Sequence, residues 1–270
     1  MTFPVPDFTR GPGFGVIDTH AHLDQQYFGD QQATVLQRAF DAGVGGILLM
    51  AAAGQRDIFA QTLQLAATDP RLLAAGGVHP HSASDYQALE AELRAHLKDF
   101  VALGEIGLDY HYDFSPRAVQ VDVFSRQLDL ALEAGLPVIL HLREAWDEGL
   151  AILDQHQASW RGIVHCYTQG PQLAQEFLRR GFLISLPGVL TFPRSVEAQE
   201  TARTVPLDRL LVETDSPYLA PVPFRGKQNE PALVVHTLHY LSRLLDRRPD
   251  EITRILFRNF NSLLFPAAIL

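Results

Sequence analysis

The chain has 270 residues, a net charge of −9 and only two lysines, Lys98 and Lys227, which argues against a broad, charge-driven grip on nucleic acid. One cysteine, Cys166, excludes an internal disulfide and fits a reducing compartment. No stretch approaches the roughly 18–20 apolar residues of a membrane span, and the opening MTFPVPDFTRGPGFG lacks the charged start and apolar core of a signal peptide. The expected location is therefore the cytoplasm, with no membrane contact and no obligate protein partner.

Short β-like runs alternate with helical stretches along the whole chain. The expected strands are Gly15–Leu23, Gly46–Ala51, Leu73–Val78, Val101–Ile106, Pro137–Leu142, Gly162–Cys166, Phe182–Leu186 and Leu210–Thr214. Stretches such as RAVQVDVFSRQLDLALEAG and PQLAQEFLRRG have helical spacing, and glycines at 43, 135 and 181 mark helix ends. Eight strands with intervening helices predict a (β/α)8 TIM barrel, one domain over residues 1–270, with a doubly wound open sheet as the competing architecture.

The strand ends carry the chemistry. In the first strand, VIDTHAHLD places Asp18, His20 and His22 on alternate positions, so a regular strand points all three to one face. The third runs into GVHPH with His79 and His81, and the fourth into GEIGLDY with Glu105 and Asp109. The fifth ends at His141 and Arg143, the sixth at His165, the seventh at Ser185, and the eighth at Glu213 and Asp215. The second strand brings no such polar group, and the seventh only the serine hydroxyl. In such a barrel the C-terminal strand ends meet at one mouth, where active sites lie. A lone histidine after a strand is usually structural. The set His20, His22, Glu105, His141, His165 and Asp215, converging from several strands, is not explained that way.

Imidazole nitrogen and carboxylate oxygen together suit zinc, manganese, iron and magnesium. Six such groups are too many for one catalytic ion and suit two divalent ions sharing a carboxylate. Glu105 is the natural bridge, since neither Lys98 nor Lys227 is placed to serve as a carboxylated lysine. Asp18 and Glu213, two residues before His20 and Asp215, are expected one layer deeper, either orienting ligand imidazoles or held in a structural salt bridge. Cys166, following His165, is expected to face the surrounding helices. Tyr110, Tyr112, Tyr167 and Tyr218 fall in mouth loops, where packing of the loops and stacking on a substrate ring explain any one of them equally well. The loop FRGKQNEP offers Arg225, Lys227 and Asn229 to the same mouth as substrate-binding groups.

Taken together, IDTHAHLD, GVHPH, GEIGLDYHYD, PVILHLREA, HCYTQG, ISLPGVLTF, VETDSPYLAP, GKQNEP and RNFNSLLF resemble the TatD family of metal-dependent deoxyribonucleases, within the amidohydrolase-like superfamily of metal-dependent barrels. The resemblance implies that His20, His22 and Asp215 hold one metal. It implies that Glu105 bridges to a second, held also by His141 and His165. Asp215 would orient or deprotonate the attacking water, making Asp215 and Glu105 the catalytic pair, and His79 would lie near the scissile phosphate. The implied activity is hydrolysis of phosphodiester bonds in DNA, including 3′-to-5′ exonuclease action on single strands. Gln228 stands where the family commonly has arginine, and Pro187 where it is often polar. The rival reading is hydrolysis of a small-molecule amide or ester by the same centre. A non-catalytic binding protein is disfavoured because no ligand is missing.

Overall fold

The computed structural model describes residues 15–53 and 57–265. The N-terminal stretch read above for a leader, apart from Gly15, lies outside the described residues. Eight strands form one sheet in sequential order, every neighbouring pair parallel. They are β1 (Val16–Ala21), β2 (Val44–Ala53), β3 (Leu72–Val78), β4 (Ala102–Asp109), β5 (Val138–Arg143), β6 (Gly162–Val164), β7 (Phe182–Leu186) and β8 (Leu210–Val212). The β8 edge returns to β1: Asp215 N donates to His20 O at 2.9 Å, His22 N donates to Ser216 O at 2.8 Å, and Ala21 and Ser216 form a parallel bridge. The architecture is a (β/α)8 barrel, with helices such as Arg117–Ala134 and Pro171–Arg179 between the strands.

Two apolar layers hold it. Outward-facing strand residues pack against the helix ring. Inward-facing Ile17, Leu48, Ala75, Ile139, Ile163 and Leu211 fill the barrel near the strand starts, where Phe257 and Phe260 of the C-terminal helix Pro249–Leu264 close the floor. An apolar plug below leaves the strand ends as the place for polar side chains. Among the described residues, no helix is long and apolar enough to cross a membrane.

Strand limits differ from expectation by one to three residues in every strand but β7, and three of the C-terminal ends have a clear cause. β4 runs three residues past Ile106 because it pairs with β5 as far as Asp109 and Arg143. β6 stops at Val164, and the chain turns at Cys166 with φ of 49°. β8 stops at Val212 because the Thr214 amide donates to the Asp18 carboxylate at 2.8 Å instead of to a neighbouring strand.

Candidate metal centre

A local slip in β1 decides which side chains enter the mouth. Val16 packs in the outer layer and Ile17 in the inner one, yet Ala21, five residues after Val16, is again outside. Strict alternation cannot do this. The pairing with β2 advances by two residues from Ile47 to Leu49 while β1 advances by three from Asp18 to Ala21. This irregularity re-aims the strand end, as bulges beside active sites do. His20 and His22 flank the outward Ala21 and point inward. Asp18 shares the face of Val16. The expectation that Asp18 lies beneath His20 and orients an imidazole is therefore corrected. Asp18 accepts from Thr214 N and Thr214 Oγ1 (2.8 and 2.6 Å) and from His20 N (3.3 Å), tying β1 to β8. Its full burial pushes the carboxyl up to about 7.

A second slip lies in β4, between Gly104 and Ile106. Ala102 faces the interior, whereas Leu103, Ile106 and Leu108 face the helices, leaving Glu105, Gly107 and Asp109 on the inner side. Gly107 has φ of 146°, and a Cβ there would lie 1.9 Å from His141 O. Only glycine lets β4 approach β5 this closely beside His141.

Glu105 sits at the centre of the histidines, and its two oxygens face different sets. Oε2 lies 3.1 Å from His20 Nε2 and 3.5 Å from His22 Nε2. Oε1 lies 2.8 Å from His141 Nδ1, 3.0 Å from His165 Nε2 and 3.3 Å from His79 Nε2. Asp215 Oδ1 completes the first set, 3.9 Å from His20 Nε2 and 3.8 Å from His22 Nε2. Asp215 has φ of 55°, a left-handed conformation that aspartate tolerates better than most residues and that aims its carboxylate at the mouth.

The electrostatics follow from burial and mutual contact. Burial lowers His22 to about 4 and His79 to about 3, and also lowers His20, so these imidazoles are neutral at neutral pH, with a lone pair that a cation could take. Burial pushes Asp215 up to about 8. Burial also works to raise Glu105, but His165, His20 and His79 together outweigh it and hold the carboxyl well below its ordinary range. His165 rises because Glu105 and Glu213 outweigh its desolvation.

The donor set fits divalent cations. His20 Nε2 and His22 Nε2 face one another at 3.3 Å, and His141 Nδ1 and His165 Nε2 at 3.1 Å. Facing ring nitrogens need a shared proton or cation. Three groups, His20–His22–Asp215, His20–Glu105–His165 and His79–Glu105–His141, each bring their ligand atoms within 4.8 Å of one another. All mix imidazole nitrogen with carboxylate oxygen, the combination that binds zinc, manganese or iron.

The remaining candidates divide. Glu213, on the inner face above Leu211, reaches His165 Nδ1 at 3.5 Å and accepts from Cys166 N at 2.5 Å. His79 lies within the donor cluster itself, its Nδ1 accepting from His81 N. Arg225 and Lys227 are exposed, lying over the rings of Phe192 and Phe224 at 4.5 and 5.8 Å. Asn229 does not fit substrate binding. It is fully buried, and its amide donates to Thr214 O and Tyr218 O at 2.8 and 2.6 Å, bracing the loop after β8. Tyr167 is buried, with its hydroxyl on Gly170 O. Tyr110 is half-buried against Arg117 and Glu148, so both are packing residues. Tyr112 and Tyr218 are exposed. Cys166 does not continue a strand into the helix layer. It is half-buried at the turn, and its thiol is pushed up by burial and by Asp215, Glu213 and Glu105.

Sequence reasoning assigned no role to Asp109. Its Oδ2 lies 3.0 Å from His141 Nε2 and 2.9 Å from His81 Nε2. The signal was present, since Asp109 is four residues past Glu105 and hence on the same face of β4.

Residues 17–265 match the family described as TatD related DNase. The chain is 36% identical over 249 residues to the uncharacterised metal-dependent hydrolase YabD of Bacillus subtilis, covering 90% of this chain and 96% of that one. It is 34% identical over 250 residues to a 3′-5′ ssDNA/RNA exonuclease TatD of Erwinia billingiae, covering 88% and 95%. The crystal structure of YjjV, a TatD homologue from Escherichia coli, superposes with a TM-score of 0.84 at 34% identity, covering 94% of this chain and 99% of that one.

Proposed function

Because the chain belongs to the TatD family of metal-dependent hydrolases, we propose that it is a nuclease that cleaves phosphodiester bonds of single-stranded DNA from the 3′ end. The observation that carries this reading is the Glu105 carboxylate, which offers one oxygen to His20 and His22 and the other to His141 and His165. Such a carboxylate suits two divalent cations, magnesium or manganese with zinc as the alternative. His20, His22 and Asp215 would hold one, His141 and His165 the other, and Glu105 both. Two such ions supply Lewis acidity to an attacking water and to the phosphate, and charge stabilisation to the leaving oxygen.

The protein's own groups supply the rest. Asp215 stands at the rim of the first set, where its second oxygen can orient a water and take its proton. Asp109 holds the His141 ring in place, and the Glu213 carboxylate stands beside His165 Nδ1 at 3.5 Å. Arg225 and Lys227, on the exposed loop after β8, are suited to phosphates flanking the scissile one. A polyanion can approach a chain of net charge −9 because two dications add about four positive charges at the reacting centre. The name of the Erwinia billingiae relative supports a single-stranded nucleic-acid substrate.

The test is digestion of end-labelled single- and double-stranded DNA by metal-stripped protein resupplied with magnesium, manganese or zinc, beside a panel of small esters and amides. Metal-dependent loss of nucleotides from the 3′ end is expected. Turnover of an amide or carboxylic ester, with no cleavage of any DNA, would overturn the reading.

A further inference from the structure

Among the described residues, the exposed tyrosine and phenylalanine side chains are Tyr27, Tyr112, Phe114 and Tyr218. Each contacts, or pairs with a ring that contacts, a histidine of the mouth. Tyr218 meets His22 at 6.4 Å between ring centroids and Tyr27 at 5.8 Å. Tyr112 and Phe114 both set their rings edgewise to His81, at 5.4 and 4.8 Å. Packing of loops does not require rings left in water. Four such rings gathered around one centre call for an aromatic partner.

The Tyr112–Phe114 pair has the geometry for one. The two rings are stacked, 5.3 Å apart and 13° from parallel, and the Arg143 guanidinium lies over Tyr112 at 4.8 Å. Phe114 closes the pile and is 68% exposed. The pile is also rigidly placed. Asp109 Oδ1 accepts from His111 N and Tyr112 N, both at 3.0 Å, while Oδ2 faces His141. Beyond Phe114, Ser115 Oγ donates to His81 O and accepts from Ser84 N. One carboxylate thus fixes both an imidazole of the donor cluster and the backbone that carries the aromatic pile.

We propose that Phe114, backed by Tyr112 and Arg143, is a stacking platform for an unpaired nucleobase flanking the phosphate that is cleaved, and that it sets the preference for single strands. The inference rests on the nuclease reading. A base in a duplex is already stacked between its neighbours, whereas a single strand can turn one out onto a ring. Arg143, whose guanidinium lies over the Tyr112 ring, suits the adjoining phosphate.

The experiment compares wild type, Phe114→Ala and Phe114→Trp on a single-stranded oligodeoxynucleotide, an abasic strand of the same length, and methyl p-nitrophenyl phosphate. For Phe114→Ala, KM on the normal strand should rise by about tenfold more than on the abasic strand. Phe114→Trp should recover most of the loss, which a purely steric or folding defect would not allow. Equal effects on both strands, or none, in an enzyme that digests the normal strand would overturn the platform alone. If wild type hydrolyses the small diester but no strand, the nuclease reading fails and the platform with it.

Discussion

The Asp109 carboxylate lies 3.0 Å from the His141 imidazole, Oδ2 to Nε2, and turns the opposite nitrogen, Nδ1, toward Glu105 at 2.8 Å. His141 and His81 hold the Asp109 carboxyl below its ordinary range despite its desolvation, so it stays ionised and accepting. This contact selects which nitrogen of His141 is available to a cation. Asp109→Asn keeps the shape and loses the charge. It should weaken binding of one of two ions by about 10–100-fold, with activity recovering at high metal concentration. Metal titration by calorimetry checks this; unchanged affinity would remove Asp109 from the centre.

Glu105 faces both histidine sets, so its loss should be felt by both. Glu105→Ala should lower occupancy of two sites together and abolish hydrolysis. Glu105→Gln, which keeps volume but not charge, should fail likewise. Elemental analysis of the purified variants is the measurement, and full occupancy of two sites in Glu105→Ala would disprove the bridging role.

Gly107→Ala should be costly although it adds only a methyl group. The Cβ would lie 1.9 Å from His141 O on a backbone with φ of 146°. Strain of this kind costs about 1–3 kcal/mol before the clash is counted. Denaturant unfolding should show at least that loss, and metal affinity should fall with it because His141 is displaced.

Asn229→Ala should act on stability. Its amide makes a buried hydrogen bond to Thr214 O and a part-buried one to Tyr218 O, and truncation leaves both carbonyls short of a donor. The expected cost is about 1–3 kcal/mol per unsatisfied group, visible as a lower melting temperature. A raised KM for DNA with unchanged stability would return Asn229 to the substrate-binding groups.

Arg225→Ala with Lys227→Ala should raise KM for DNA while metal content stays the same. The salt dependence of binding should flatten by about 0.7 in log–log slope for each single-strand phosphate that is no longer neutralised. Equal slopes for wild type and the double variant would show that these side chains do not meet phosphate.

The barrel and its donor set were legible in the amino-acid sequence because each is a local pattern repeated in order. Apolar strands alternate with helical spacing, and His20, His22, Glu105, His141, His165 and Asp215 fall at strand ends that a parallel barrel must bring to one mouth. Side-chain direction was legible only where strands are regular. Period-two counting put Asp18 with His20, but the slip after Asp18 separates them, and no residue type in VIDTHAHLD announces it. Tertiary structure alone decided the relations between distant segments. Asp18 accepts from Thr214 across 196 positions, Asn229 is buried under the loop it was expected to decorate, and Asp109 joins His141 to the Tyr112 backbone. These depend on which donor reaches an acceptor once the sheet has closed, a matter of tenths of an ångström in three dimensions that composition and spacing do not encode.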